Sequence, residues 1–218
     1  MGTISVNRLG GMALIFGPIA AVLSFLIRPG GGLVAGTVDP ADAAASIGVI
    51  IANSGLATIS YAVAPLGLII LIYGLNVMVE TNLKGDNGEA IGRLGALFAS
   101  FGLVAWIIGS ACALVIAGGN AATAVGALYA TATGLNITGA VLFALAFVFI
   151  GLAASTNENF NRTFALVVLA VSVISTVISV WTALDNSMLQ TAGMVGGPIY
   201  MIWTIWGVTV GLNLMKKD

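Results

Sequence analysis

Four hydroxyl side chains recur along one apolar stretch, at Ser172, Ser175, Thr176 and Ser179. Their spacing of three and four residues brings them onto one face of a helix. In a hydrocarbon setting such a face has two uses. It lets a neighbouring helix approach and hydrogen-bond across the contact, or it lines a polar cavity or path. Both readings stay open from the residues alone.

A second set lies near the end of the chain, where Tyr200, Trp203 and Trp206 repeat at three-residue intervals and share one helical face. Aromatic rings of this kind form belts at the membrane–water boundary. The other reading is a contact face for a lipid or another apolar ligand. Directly after them, Gly207 and Gly211 make a GxxxG pair, the small-residue pattern that lets two helix backbones pack closely. That pattern suits packing within the chain as well as packing against another subunit. Pro18 and Pro65 fall inside apolar stretches, where each removes a backbone donor and can free a carbonyl.

Catalytic chemistry finds little to work with. The chain has no histidine, which excludes imidazole ligation of a metal and a Ser-His-Asp triad. Its one cysteine, Cys112, lies in an apolar run and reads as a small buried hydrophobe. No GxGxxG or phosphate-loop spacing occurs, and the glycines at 30–32 lack a following lysine. No enzyme, metal site or cofactor is therefore expected. The net charge of −1 argues against a nucleic-acid partner, which requires a basic face.

The elements that position these residues follow from hydropathy. Of 218 residues, 59% are hydrophobic and 7% charged, against about 25% charged in a soluble domain. Mean hydropathy is +1.10. Six stretches are long and apolar enough to span a bilayer, at about 9–27, 56–79, 91–117, 135–154, 164–184 and 198–215. The fold expected is an all-α integral membrane bundle of six transmembrane helices in one domain over residues 1–218. Asp39-Pro40-Ala41-Asp42 reads as a helix start, an acidic cap followed by proline, and predicts over residues 41–53 a short surface helix or an extension of the second span. The alanines and threonines of residues 118–134 suit either an extended helix or a segment at the interface.

Charge lies at the ends of the spans and not inside them. Arg28, Glu80, Arg93, Arg162 and Asp185 all fall where a long side chain can reach water. That placement speaks for anchoring and against a buried proton relay. Arg28 and Asp185 both fall at the outer face and form a candidate pair. Asn136 falls near the start of its span and reads as an interfacial cap. It also begins a glycosylation sequon, as does Asn161, but neither position suits modification.

With the N-terminus inside, the inner segments hold Arg8, Lys84, Arg93, Arg162, Lys216 and Lys217, and the outer ones only Arg28. This bias predicts cytoplasmic termini in an inner (plasma) membrane, with the first span retained and not cleaved. The opening Arg8-Leu9-Gly10-Gly11, the outward loop with a short helix, and the close Ile202-Trp203-Thr204-Ile205-Trp206-Gly207 resemble a family of small six-helix bacterial membrane proteins. The resemblance implies the helix count and brings no activity with it. Two functions fit: a non-catalytic subunit packing against itself or other membrane subunits and holding lipid or an apolar cofactor, or a small transporter or channel for a neutral solute.

Overall fold

A computed structural model describes residues 4–31, 34, 36–86, 88–119 and 123–217. Among them there is no strand, only a single bridge between Gly30 and Thr37. Seven α-helices follow in order: α1 Val6–Leu26, α2 Ala43–Ala52, α3 Ser54–Met78, α4 Glu89–Ala117, α5 Val125–Ser155, α6 Arg162–Leu184 and α7 Leu189–Met215. Six spans are long and apolar enough to cross a membrane, and α2 is the short helix between the first two.

The helix starts follow from local chemistry. Ser5 caps α1 by accepting from the Arg8 amide at 3.1 Å, Asp42 caps α2 from Ala45 at 3.0 Å, and Asn161 caps α6 from Phe164 at 3.0 Å. Each side chain satisfies one of the free amides of a first turn. The short helix is thus capped by Asp42, three residues after the expected Asp39. Asp39 instead accepts from the Ala41 amide in a turn ahead of it. Helix α1 stops before Arg28-Pro29-Gly30, with Gly30 at φ +83°.

Two spans start earlier than hydropathy places them. Helix α5 begins at Val125, not near Leu135, and α7 at Leu189, not at Pro198. The added turns are rich in Thr, Ala and Gly, which dilute hydropathy without stopping a helix. Thr131 and Thr133 return their hydroxyls to carbonyls four residues back, and Leu128 and Tyr129 pack against the small core around Ile50, Ala57 and Ile116. Tyr129 also donates to the Pro40 carbonyl at 2.8 Å, tying α5 to the α2 loop. Residues 120–122 of this boundary, and Gly32, lie outside the described residues.

The six long helices form a ring in chain order, α1 against α3, then α4, α5, α6 and α7, closed by α7 on α1. Asn7 lies beside Thr81 and Lys217 beside Asn82, so both termini sit at one end of the ring. Glycines set the tightest seams. A Cβ on Gly211 would come 2.5 Å from the Gly11 carbonyl oxygen, and one on Gly67 2.7 Å from that of Gly17. The GxxxG pair is therefore used inside the chain, between α7 and α1. Gly211→Val is expected to destabilise the bundle by about 1–3 kcal/mol through overpacking, read as a lower thermal midpoint in detergent. Gly193→Ala, whose added Cβ meets nothing within 4 Å, is the control and should leave that midpoint nearly unchanged.

Candidate functional site

The two ends of the ring differ. At the end carrying the termini, side chains fill the axis: Leu75, Met78, Phe143, Phe147, Ile150, Trp203 and Trp206 are all buried in one core. The Phe147 and Trp203 rings stack at 4.4 Å and 8°, and Phe160 lies 6.3 Å from Trp206. A polar knot then closes this end. The chain leaves α3 through a wider π turn, Val79–Leu83, where buried Asn82 accepts through its carbonyl from the amides of Asn157 and Asn159, each at 3.1 Å. Lys217 donates to the side chains of Asn82 at 2.8 Å and Asn159 at 3.2 Å, and Asn157 also donates to Asp86. Two loops and the C-terminal residues are joined in this way.

At the opposite end the same ring surrounds a cavity of about 280 Å³ that is open to the outside. All six long helices contribute to its wall. The space exists because the residues at this level are small: Ala21 and Ser24 on α1, Ser60 and Ala64 on α3, Ser110 on α4, Ala140 on α5, Ser175 and Ser179 on α6, and Ala192, Gly193, Gly196 and Gly197 on α7. Its floor is an aromatic layer. Trp106 and Tyr200 lie 6.2 Å apart, Trp106 rests 4.9 Å from Phe143, and Tyr200 meets Trp203 edge-on at 5.1 Å. Gly139 makes the seat for Trp106, since a Cβ there would fall 2.6 Å from the indole. The indole N–H donates to the Asn136 carbonyl at 3.1 Å. Below the floor lies an apolar void of about 30 Å³, bordered by Phe143, Phe147, Trp203 and Trp206. It has room for a water but no polar partners, so it stays dry.

The hydroxyl face of α6 divides between these regions. Ser172 is fully buried, accepting from Trp203 Nε1 at 2.9 Å and donating to the Val168 carbonyl at 2.6 Å. It belongs to the packing seam. Thr176 returns its hydroxyl to the Ser172 carbonyl. Ser175 and Ser179 border the cavity, joined by Thr182 one turn on.

The aromatic face divides as well. Tyr200 is part of the cavity floor, whereas Trp203 and Trp206 are buried in the core, Trp203 at mid-helix. The early start of α7 accounts for this, because it moves those rings away from the boundary where a belt would sit.

Three other positions depart from expectation. Asn136 lies three turns inside α5 and on the cavity wall, not at an interfacial cap. Arg28 and Asp185 do not pair. Asp185 instead accepts from the Ser187 amide at 3.0 Å, and the hydroxyl and amide of Ser187 hold its carboxyl below the usual range. Arg28 borders the cavity mouth, its guanidinium 4.8 Å from the centre of the Phe25 ring. Among the described residues, the one ion pair is Glu89–Arg93 at the other end.

The cavity has polar groups to offer. Ser110, Asn136, Ser175 and Ser179 have no hydrogen-bond partner for their side chains among the described residues, yet no fully buried polar side-chain atom there lacks one. Their polar atoms therefore reach open space. An apolar chamber with a few such groups is the usual form of a small-molecule site. Sequence reading did not bring Ser60, Tyr61, Trp106, Ser110 or Asn136 to this chamber. The available signal was the concentration of small residues in six separate stretches.

No protein-family model, curated protein or solved structure matches this chain.

Proposed function

We propose that the chain is a non-catalytic, multi-pass subunit of the inner (plasma) membrane that holds one lipid-like or otherwise apolar molecule in the cavity of its open half. The observation that carries this reading is the 280 Å³ chamber, walled by small residues of all six long helices and floored by Trp106 and Tyr200. A packed bundle has no use for such a space. Voids forfeit dispersion contacts on their lining, and a membrane bundle relies on packing where a soluble core relies on exclusion of water.

The six-to-one distribution of basic residues supports cytoplasmic termini. In that orientation the polar knot faces the cytoplasm and the chamber opens toward the outer leaflet. Partner membrane subunits, or further copies of the chain, would cover part of the lipid-facing surface.

Transport of a neutral solute has less support. The axis below Tyr200 is filled by Phe147, Trp203 and Trp206, with only the dry void between them. A solute would have to displace that stack.

Gentle purification followed by native mass spectrometry and organic extraction tests the proposal. The expected result is one small apolar molecule per chain, at a stoichiometry that survives gel filtration. A chain that carries only exchangeable detergent, and takes up no amphiphile offered to it, would overturn the reading.

A further inference from the structure

We infer that the molecule held in the chamber is a single-chain amphiphile with an anionic headgroup, bound by Arg28 at the mouth, its tail running down to the Trp106–Tyr200 floor. This rests on the reading of the chamber as a binding site and adds to it the chemical class of the occupant.

The electrostatics of the wall point one way. Among the described residues Arg28 is the one charged residue that borders the chamber, and no Asp or Glu borders it. Among the described residues its guanidinium has no ion pair or hydrogen bond; it lies 4.8 Å from the Phe25 ring centre and beside Gly31, where a Cβ would come 3.0 Å from it. A cation beyond the last turn of α1 gains something from the helix dipole, which explains its tolerance there. It does not use the planar fork of donors that arginine presents to carboxylate or phosphate. A charge beside a low-dielectric space is costly until a counter-charge arrives. An anion in the chamber would supply it.

The geometry below Arg28 suits a tail. Wall residues of α1 run from Ala21 to Arg28, a depth of about 10 Å at 1.5 Å per residue. Along that depth Phe25, Leu68, Val195 and Ile199 present apolar surface, and the rings of Trp106 and Tyr200 end it. Arg28 follows the last helical turn of a span, at the level where headgroups lie, while the floor is deeper in the bundle. Polar group at the boundary and chain below is the arrangement an amphiphile already has in a leaflet.

The test uses the tryptophan in the floor. Terminally brominated dodecanoate is titrated into the purified full-length chain in neutral nanodiscs, above the pH at which the acid ionises. The neutral brominated monododecanoyl glycerol is titrated in parallel. Quenching by contact is read as the component that Trp106→Phe removes. The acid should quench saturably, and Arg28→Gln should weaken its apparent affinity at least tenfold. Arg28→Lys, which keeps the charge and loses the fork, should fall between. The neutral ester should bind more weakly than the acid and ignore the Arg28 substitutions. Equal binding of acid and ester, unchanged in Arg28→Gln, would overturn the anionic assignment and leave the apolar site standing. If neither probe quenches saturably in the unaltered chain, the binding site itself is refuted.

Discussion

Gly196→Leu is expected to abolish occupancy of the chamber while leaving the bundle as stable as before, or slightly more so. Gly196 borders the cavity, and a Cβ there would lie 3.7 Å from the Tyr200 ring, an ordinary contact. A leucine at this position can extend over the floor and take the volume that a ligand needs. The backbone effect has the opposite sign, because glycine inside a helix costs about 0.5–1 kcal/mol relative to alanine. Filling a void also restores lost dispersion contacts. Binding should fall by more than a hundredfold, measured by the quenching titration, with an equal or higher thermal midpoint. A residue kept for folding alone could not behave in this way. Should Gly196→Leu lower the midpoint and leave binding intact, the glycine is a packing residue and the chamber is not the site.

Trp203→Ala should have the largest effect on stability. The indole stacks on Phe147 at 4.4 Å, meets Tyr200 at 5.1 Å and donates to Ser172 at 2.9 Å. It is almost wholly buried at the centre of the ring. Removing it leaves a hole joined to the existing void, and large-to-small changes at such sites cost about 3–5 kcal/mol. For a helix bundle surrounded by lipid, most of such a cost is lost packing, since lipid is as apolar as a core. Trp203→Phe separates the terms. It keeps a ring against Phe147 and loses the N–H, while the Ser172 hydroxyl keeps its bond to Val168, so about 0.5–1.5 kcal/mol is expected. Reversible unfolding in mixed micelles would check both. Equal losses in the two variants would mean that the hydrogen bond, not the stack, holds α7 to α6.

The spans and their uncharged cores were legible in the sequence because hydropathy over about 20 residues depends on composition alone. The starts of α5 and α7 were not. Thr, Ala and Gly lower the hydropathy of residues 125–134 and 189–197, while tertiary contacts such as Tyr129 to Pro40 keep the first of these segments helical. Glycine shows the same limit at finer scale. Gly211 lies in van der Waals conflict with any added Cβ, and Gly193 faces open space, yet both are small residues in one apolar helix. What separates them is the distance to the next helix, and local sequence does not encode that distance. The hydroxyl face illustrates the outcome: its spacing was readable, but Ser172 fell to the seam and Ser175 and Ser179 to the chamber. The polar knot was out of reach for another reason. Asn82, Asn157 and Lys217 are separated by 75 and 135 positions from the first to each of the others, and no local pattern links them.

The ring order has a consequence for how the protein is made. Its closing seam joins α1 to α7, the first long helix to the last, through Gly11 and Gly211. Chains emerge N-terminus first, so α1 must wait beside α3 with its Gly11 flank uncovered until the final span arrives. Until then the wall lacks Gly193, Gly196 and Tyr200, and Lys217 has not reached Asn82. The chamber thus takes shape only when the final long helix arrives. A chain stopped before Leu189 has every earlier long helix and still encloses nothing.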